Sequence, residues 1–150
     1  MLESSEYEFG HRFSKYAAHG LLYPQTEGSP LLEFATHGQV LYLFDRCGPY
    51  AAHAGQAMVV IHGILDAGAV TVLDPNEALA AGEGLSHISI SSLEGLGQLL
   101  LIESNIWVVQ AKVPLVLGSF DPLPKLNLSE NQSVWVRFKT LPPLHGFILN

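Results

Sequence analysis

The sequence predicts an all-β fold that is mainly antiparallel and built from consecutive hairpins. Short runs of β-branched and aromatic residues recur along the chain, and turn residues separate them roughly every 8–12 positions. Several of these turns place glycine after a polar residue, which is typical of tight hairpins. The pattern gives about nine strands and fits either a β-sandwich or a β-barrel, with one short helix near residues 75–82.

The clearest hairpin lies in the first third of the chain. It pairs Leu31–Thr36 with Gln39–Asp45, and His37-Gly38 stands where a tight turn needs positive φ angles. The second strand contains the run Val40–Phe44, which is apolar on both faces. Such a strand is buried on both sides, or it places one face in the core and the other at an interface.

Two more hairpins are predicted further along the chain. One pairs Ala57–Ile64 with Ala69–Leu73, and the other pairs Gln98–Glu103 with Ile106–Lys112. In each case a short polar or glycine-bearing segment separates the two apolar runs, as a turn requires.

Alternating residues mark two further strands. In His87–Ser91 the alternation predicts that Ile88 and Ile90 point inward. Ser133–Thr140 alternates in the same way, and Pro142-Pro143 is expected to end that strand because proline cannot donate to a sheet.

A helix is predicted to begin after Asp74. The Asp74 side chain can accept from the first-turn amides, Pro75 suits the first helical position, and Glu77 completes a box-like arrangement. Gly82 or Gly84 is expected to end this short helix.

The length of the chain fits a single domain. With 150 residues it can bury a sizeable core without disulfides or metals. Residues 1–8 are acidic and polar and are predicted to be a loose lead-in. Residues 9–23 fit two interpretations, since their first part has helical spacing and Gly20–Tyr23 has the character of a strand.

The composition favours an acidic protein that associates with other proteins or with itself. The net charge is −7, and the seven Lys and Arg residues form no cluster, so nucleic acids and anionic membranes are not expected partners. A basic protein would be favoured electrostatically. Charged residues make up 14% of the chain, below the typical value of about a quarter, and this favours a homo-oligomer.

Three observations favour a cytoplasmic location. A single cysteine, Cys47, precludes an internal disulfide and fits a reducing compartment. The acidic start of the chain lacks the basic-then-apolar order of a signal peptide. The longest apolar runs are too short to cross a bilayer.

The best sequence candidates for catalysis lie on the link 45–53 between the first two hairpins. Asp45, Cys47 and His53 supply a carboxylate, a thiol and an imidazole, which a nucleophilic site needs. His62 is a further acid–base candidate. The simpler interpretation is that Asp45 ends a strand and Cys47 is a buried structural thiol. We therefore expect a binding protein rather than an enzyme.

The seven histidines do not have the spacing of a metal site. The sequence contains neither His-x-His nor His-Glu-x-x-His nor Cys-x-x-Cys. Four of the histidines, His19, His37, His62 and His145, precede glycine, a pairing as natural in a turn as in a site. No metal and no cofactor are expected.

An aromatic surface is the main candidate for binding. It is predicted to comprise Tyr42, Phe44, Trp107, Trp135 and Arg137, because exposed Trp beside Arg is a common anchor in interfaces. The leading functional hypothesis is a small interaction protein, such as an inhibitor or immunity-type partner of a more basic protein. The alternative is a β-barrel that binds a small apolar ligand, with or without chemistry by the His, Asp or Cys of the 45–53 link.

Overall fold

A computed structural model describes residues 8–24, 31–46, 54–126 and 133–149. Within these ranges the chain is mostly β-strand, which confirms the all-β prediction. Cys47 and His53 lie outside the described residues, as do residues 1–7 of the predicted lead-in and most of the link 45–53.

Ten strands form one sheet in the described part of the chain. They are β1 (Ala18–Pro24), β2 (Leu31–Thr36), β3 (Gln39–Asp45), β4 (Gly55–Leu65), β5 (Thr71–Val72), β6 (Gly84–Ser89), β7 (Ser92–Glu103), β8 (Ile106–Ala111), β9 (Val113–Gly118) and β10 (Trp135–Leu149). Their order is β5-β10-β3-β2-β1-β4-β9-β8-β7-β6. β10 also pairs with β4 and with β7. The pairings therefore close into two rings, one through β10, β3, β2, β1 and β4 and the other through β10, β4, β9, β8 and β7.

Two of the predicted hairpins are confirmed. β2 pairs antiparallel with β3, and the turn between them has φ angles of 48° at His37 and 77° at Gly38. Two successive positive φ angles are what a tight turn between twisted strands requires. β7 pairs antiparallel with β8 across Ser104-Asn105, which confirms the predicted pairing of Gln98–Glu103 with Ile106–Lys112.

The short helix is also confirmed. It spans Pro75–Ala81, and the Asp74 carboxylate accepts a hydrogen bond of 2.8 Å from the amide of Asn76. Gly82 follows with a φ of 68° and closes the helix. Residues 9–23, for which the sequence fits two interpretations, contain both kinds of structure. Residues 8–12 are helical, a 3-10 turn follows, and β1 begins at Ala18.

The predicted hairpin between Ala57–Ile64 and Ala69–Leu73 is wrong. Both β4 and β5 pair with β10 instead of with each other. After β4 the chain enters a 3-10 turn, Ala67–Ala69, which is capped by the Asp66 side chain. The amide of Asp66 donates to Lys139 of β10, so the chain stays beside β10 rather than turning back along β4.

Two expectations about strand faces and ends are also wrong. Ile88 on the edge strand β6 and Ile90 in the turn after it are 51% and 67% exposed, and all of residues 86–90 lie at the surface. Pro142-Pro143 does not end a strand, since β10 runs through it with a cis peptide bond. The pairing of β10 with β4 shifts register there, between Leu141 and His145, so the two prolines need no ladder partner.

The strand pairings repeat in two halves of the sheet. The first half comprises β1 to β4 and the second half β7 to β10. In each half the first three strands form an antiparallel meander, β1-β2-β3 in one and β7-β8-β9 in the other. The fourth strand pairs antiparallel with the first, so β4 lies beside β1 and β10 beside β7. Each fourth strand also runs parallel to the third strand of the other half.

The two halves meet along the ribbon formed by β4 and β10. His62 of β4 pairs directly with His145 of β10, and each of these histidines is followed by glycine. Val116 of β9 is the parallel partner of His62, and Phe44 of β3 is the parallel partner of His145. The two histidines therefore occupy equivalent positions in the two halves.

The two faces of the β4–β10 ribbon contact different apolar clusters. One face, with Ile61 and Leu144, belongs to the large core that both halves enclose. The other face, with Val60 and Phe147, is covered by the N-terminal segment 8–17. His62 and His145 lie on this second face, because side chains alternate along a strand.

Candidate functional site

A pocket of about 550 Å³ opens where the second face of the ribbon meets the N-terminal segment and the ends of β3 and β9. Its volume lies in the range of roughly 300–1,000 Å³ that is usual for small-molecule sites. It combines three nitrogen-bearing side chains with apolar walls. The lining residues are Phe9, Arg46, His62, Ile64, Phe120, Leu141, Pro142, Pro143, His145 and Phe147.

Two histidines form the floor of the pocket. The rings of His62 and His145 lie edge to face, with 6.1 Å between their centroids. Phe9 of the N-terminal segment packs edge to face on His62 at 5.0 Å and stacks at a tilt on Phe147 at 4.6 Å. These aromatic contacts hold the His62 ring in one orientation.

Arg46 supplies a permanent positive charge beside His145. It directly follows β3, and its backbone amide donates to the carbonyl oxygen of Gly146 at 3.0 Å. Its guanidinium nitrogen lies 3.4 Å from Nδ1 of His145. Since a guanidinium can only donate, this contact is a hydrogen bond when Nδ1 of His145 is the unprotonated ring nitrogen.

The imidazole of His62 is neutral at pH 7. Burial first, and then the electrostatic effects of His145 and Arg46, together lower the pKa of His62 from 6.5 to about 4. Burial disfavours a charge of either sign, whereas the neighbouring guanidinium of Arg46 disfavours a further positive charge only. A negatively charged group would therefore be favoured by the electrostatic part of these surroundings, in a protein of net charge −7.

The opposite wall of the pocket is apolar. β9 ends at Gly118, which lies close to the His62 ring, since an added Cβ would be 3.5 Å from Nε2 of His62. Two residues later Phe120 is 83% exposed. The Ser119 hydroxyl donates to the carbonyl oxygen of Asp121 at 2.6 Å and accepts from the amide of Asp121 at 3.2 Å. These bonds fix the turn that presents Phe120.

A larger cavity of about 720 Å³ lies on β1 and β4 and is lined by His19, Gln56 and Met58 among others. Among the described residues, its lining contains no Asp, Glu, Lys or Arg side chain. The pocket at His62 is therefore the better candidate site, because perturbed pKa values and convergent polar groups mark functional sites.

The structure brings only part of the sequence-predicted catalytic set to this pocket. His62 lies in it, whereas Asp45, the last residue of β3, is the parallel partner of Gly146 and does not line the pocket. Cys47 and His53 fall outside the described residues. Among the described residues, no three His, Cys, Asp or Glu side chains are grouped to hold a metal ion.

The predicted aromatic surface is dispersed. Trp107 is 1% exposed and belongs to the core, so it presents no binding surface. Trp135 is half-buried and Arg137 is exposed on β10, away from the pocket. Tyr42 packs near His87 with 6.0 Å between ring centroids. Phe44 alone approaches the site, 6.5 Å from the ring of His145.

Sequence reasoning missed Arg46, Phe9, Phe120 and the role of His145. A signal for the histidine pair is present in the chain, since both His62 and His145 precede glycine in apolar segments of similar composition. No local signal links Arg46 to His145, because 99 positions separate them.

Comparison with family models, curated proteins and solved structures found no match to this chain. Among the described residues, no helix is both long enough and apolar enough to span a membrane.

Proposed function

We propose that the protein binds a small organic anion in the pocket between β4 and β10. The observation that carries the proposal is the convergence of Arg46, His145 and His62 on a cavity of about 550 Å³. This is a form of the small-molecule alternative that the sequence left open. The sequence suggested an apolar ligand, whereas the ligand proposed here also carries a negative charge.

The donors present suit an anion. Arg46 donates only, and each of the two histidine rings can donate through a ring nitrogen. Charge-assisted hydrogen bonds of this kind are stronger than neutral ones. The protein as a whole repels anions, so selective binding depends on the local positive potential of this pocket.

The test compares benzoate with benzamide, a neutral molecule of nearly the same shape. Both are titrated into the protein while backbone and histidine side-chain resonances are followed by NMR. We expect the dissociation constant of benzoate to be at least about tenfold lower, as one charged hydrogen bond suggests. The pKa of His62 should also rise from about 4 in the presence of benzoate, because a bound anion favours the protonated ring.

Matched arginine variants locate the binding. Arg46→Gln should weaken benzoate binding at least about tenfold, whereas Arg137→Gln removes the same charge from an exposed position outside the pocket and should leave binding within about twofold. Equal binding of benzoate and benzamide, or equal effects of the two variants, would contradict the proposal. So would the absence of saturable shifts with benzoate.

A second candidate function, association with another protein or with a second copy of the chain, is supported by a separate surface. Leu21, Tyr23 and Val40 lie on β1 and β3 and are between 41% and 46% exposed. Exposed apolar groups in a sparsely charged protein favour association. Light scattering at micromolar concentration tests it: a dimer or larger species is expected, and a monomer would contradict self-association.

A further inference from the structure

We infer that the anion bound in this pocket carries an aromatic ring, which lies under Phe120 while its charged group faces Arg46 and the histidines. This inference rests on the proposed function and specifies its ligand class. It assigns Phe120 as the residue that selects the ring.

The first argument is the exposure of Phe120. A phenyl ring that is 83% exposed leaves most of its apolar surface in water, and covering such a surface is favourable by about 25 cal/mol per Å². Phe120 nevertheless lines the pocket that contains His62 and His145. An occupant that reaches the mouth of this pocket would cover the exposed ring.

The second argument is that hydrogen bonds fix the turn that holds Phe120. The amide of Ser119 donates to the carbonyl oxygen of Asn105 at 3.0 Å, and the Ser119 hydroxyl bonds to both backbone groups of Asp121 described above. Ser119 itself is 8% exposed. Phe120 therefore projects from a turn fixed on both sides, which reduces the entropy lost when a ligand packs against it.

The third argument is the separation of polar and apolar walls. Arg46 follows β3 on the His145 side, and Phe120 follows β9 on the His62 side. The pocket also contains the rings of Phe9 and Phe147 and the flat faces of Pro142 and Pro143. Flat apolar walls favour a flat ring, since aromatic pairs gain about 0.5–1.5 kcal/mol beyond the area that they bury.

The experiment uses the whole protein and three carboxylates: acetate, cyclohexanecarboxylate and benzoate. Dissociation constants come from the same NMR titration, at one pH and one ionic strength. We expect benzoate to bind at least about tenfold more tightly than acetate and about threefold more tightly than cyclohexanecarboxylate. In Phe120→Ala the advantage of benzoate over acetate should fall to about twofold or less, while acetate binding should not change.

Leu79→Ala is the matched control. Leu79 is 84% exposed, as Phe120 is, but it lies on the Pro75–Ala81 helix outside the pocket. Its truncation should leave all three dissociation constants unchanged. Because both positions are exposed, neither variant is expected to affect folding, and the NMR spectra will verify this.

The outcomes separate this inference from the proposed function. If acetate and benzoate bind equally well, or if Phe120→Ala keeps the full preference for benzoate, anion binding stands and the aromatic assignment fails. Equal binding of cyclohexanecarboxylate and benzoate also overturns the aromatic assignment. If none of the three carboxylates shifts the pocket resonances, both proposals fail.

Discussion

The two halves of the sheet share one set of strand pairings but supply opposite chemistry to the pocket. His145 in the second half lies beside the end of β3, where Arg46 provides a charge. The equivalent His62 in the first half lies beside the end of β9, where Gly118 leaves space and Phe120 provides an apolar surface. A repeated scaffold with different residues at equivalent strand ends thus produces a pocket with one polar and one apolar side.

The largest expected effect concerns a glycine that both halves use in the same way. In β1 a Cβ on Gly20 would lie 2.2 Å from the carbonyl oxygen of Ala35, and in β7 a Cβ on Gly97 would lie 2.3 Å from that of Gln110. Both oxygens belong to the next strand of the same half. Gly20→Ala and Gly97→Ala should each lower the free energy of unfolding by at least about 3 kcal/mol, since the backbone must move.

Gly84→Ala is the control for these two substitutions. A Cβ on Gly84 of β6 would meet no atom within 4 Å, so urea denaturation should show a change within about 0.5 kcal/mol. If only one of Gly20→Ala and Gly97→Ala strongly lowers the free energy of unfolding, the two glycines are not equivalent in the two halves. Stability close to that of the wild type in both variants would mean that the strands do not approach so closely.

These glycines illustrate what the sequence can and cannot predict. The turns at His37-Gly38 and Ser104-Asn105 and the cap at Asp74 are set by neighbouring residues, and their local signals predicted them correctly. The close approach of Gln110 to Gly97 depends on the exact register of the β7–β8 hairpin, which the residue type at position 97 does not reveal.

The same limit applies to the pocket. The alternation around Ile88 predicts an apolar face, but it does not show whether this face lies in the core or at the surface. His62 could be proposed as an acid–base residue from its type alone. Its pairing with His145 and the approach of Arg46 depend on how β3, β4 and β10 meet, and such long-range register has no signature in either segment.

A smaller effect is expected from the proton equilibrium of His62. The pKa is about 4 in the folded protein and 6.5 in the usual reference state, so between these pH values the unfolded chain binds more protons. The contribution of His62 to stability is therefore complete above pH 6.5 and is lost as the pH falls towards 4. The full loss amounts to about 3 kcal/mol.

Urea denaturation of wild type and His62→Gln at several pH values between 7 and 4 measures this contribution. Carboxylates titrate in both proteins, so the informative quantity is the difference between the two stability curves. The stability of the wild type relative to that of His62→Gln should decrease by about 3 kcal/mol as the pH falls from 7 to 4. Parallel curves for wild type and His62→Gln would show that the first-half histidine is not buried as described.

The smallest expected effect lies in the connection between the halves, where two aspartates cap different structures. The Asp74 carboxylate accepts from Asn76 at 2.8 Å at the start of an α-helix, and the Asp66 carboxylate accepts from Gly68 at 3.2 Å at a 3-10 turn. Asp74→Ala should cost about 1 kcal/mol of unfolding free energy, as loss of a helix cap does. Asp66→Ala should cost less, because its bond is longer and only one short turn depends on it. Neither substitution should alter benzoate binding, since neither residue lines the pocket. A change in the dissociation constant of benzoate in Asp74→Ala would show that the connection helps to position the two halves, and that their pairing alone does not define the site.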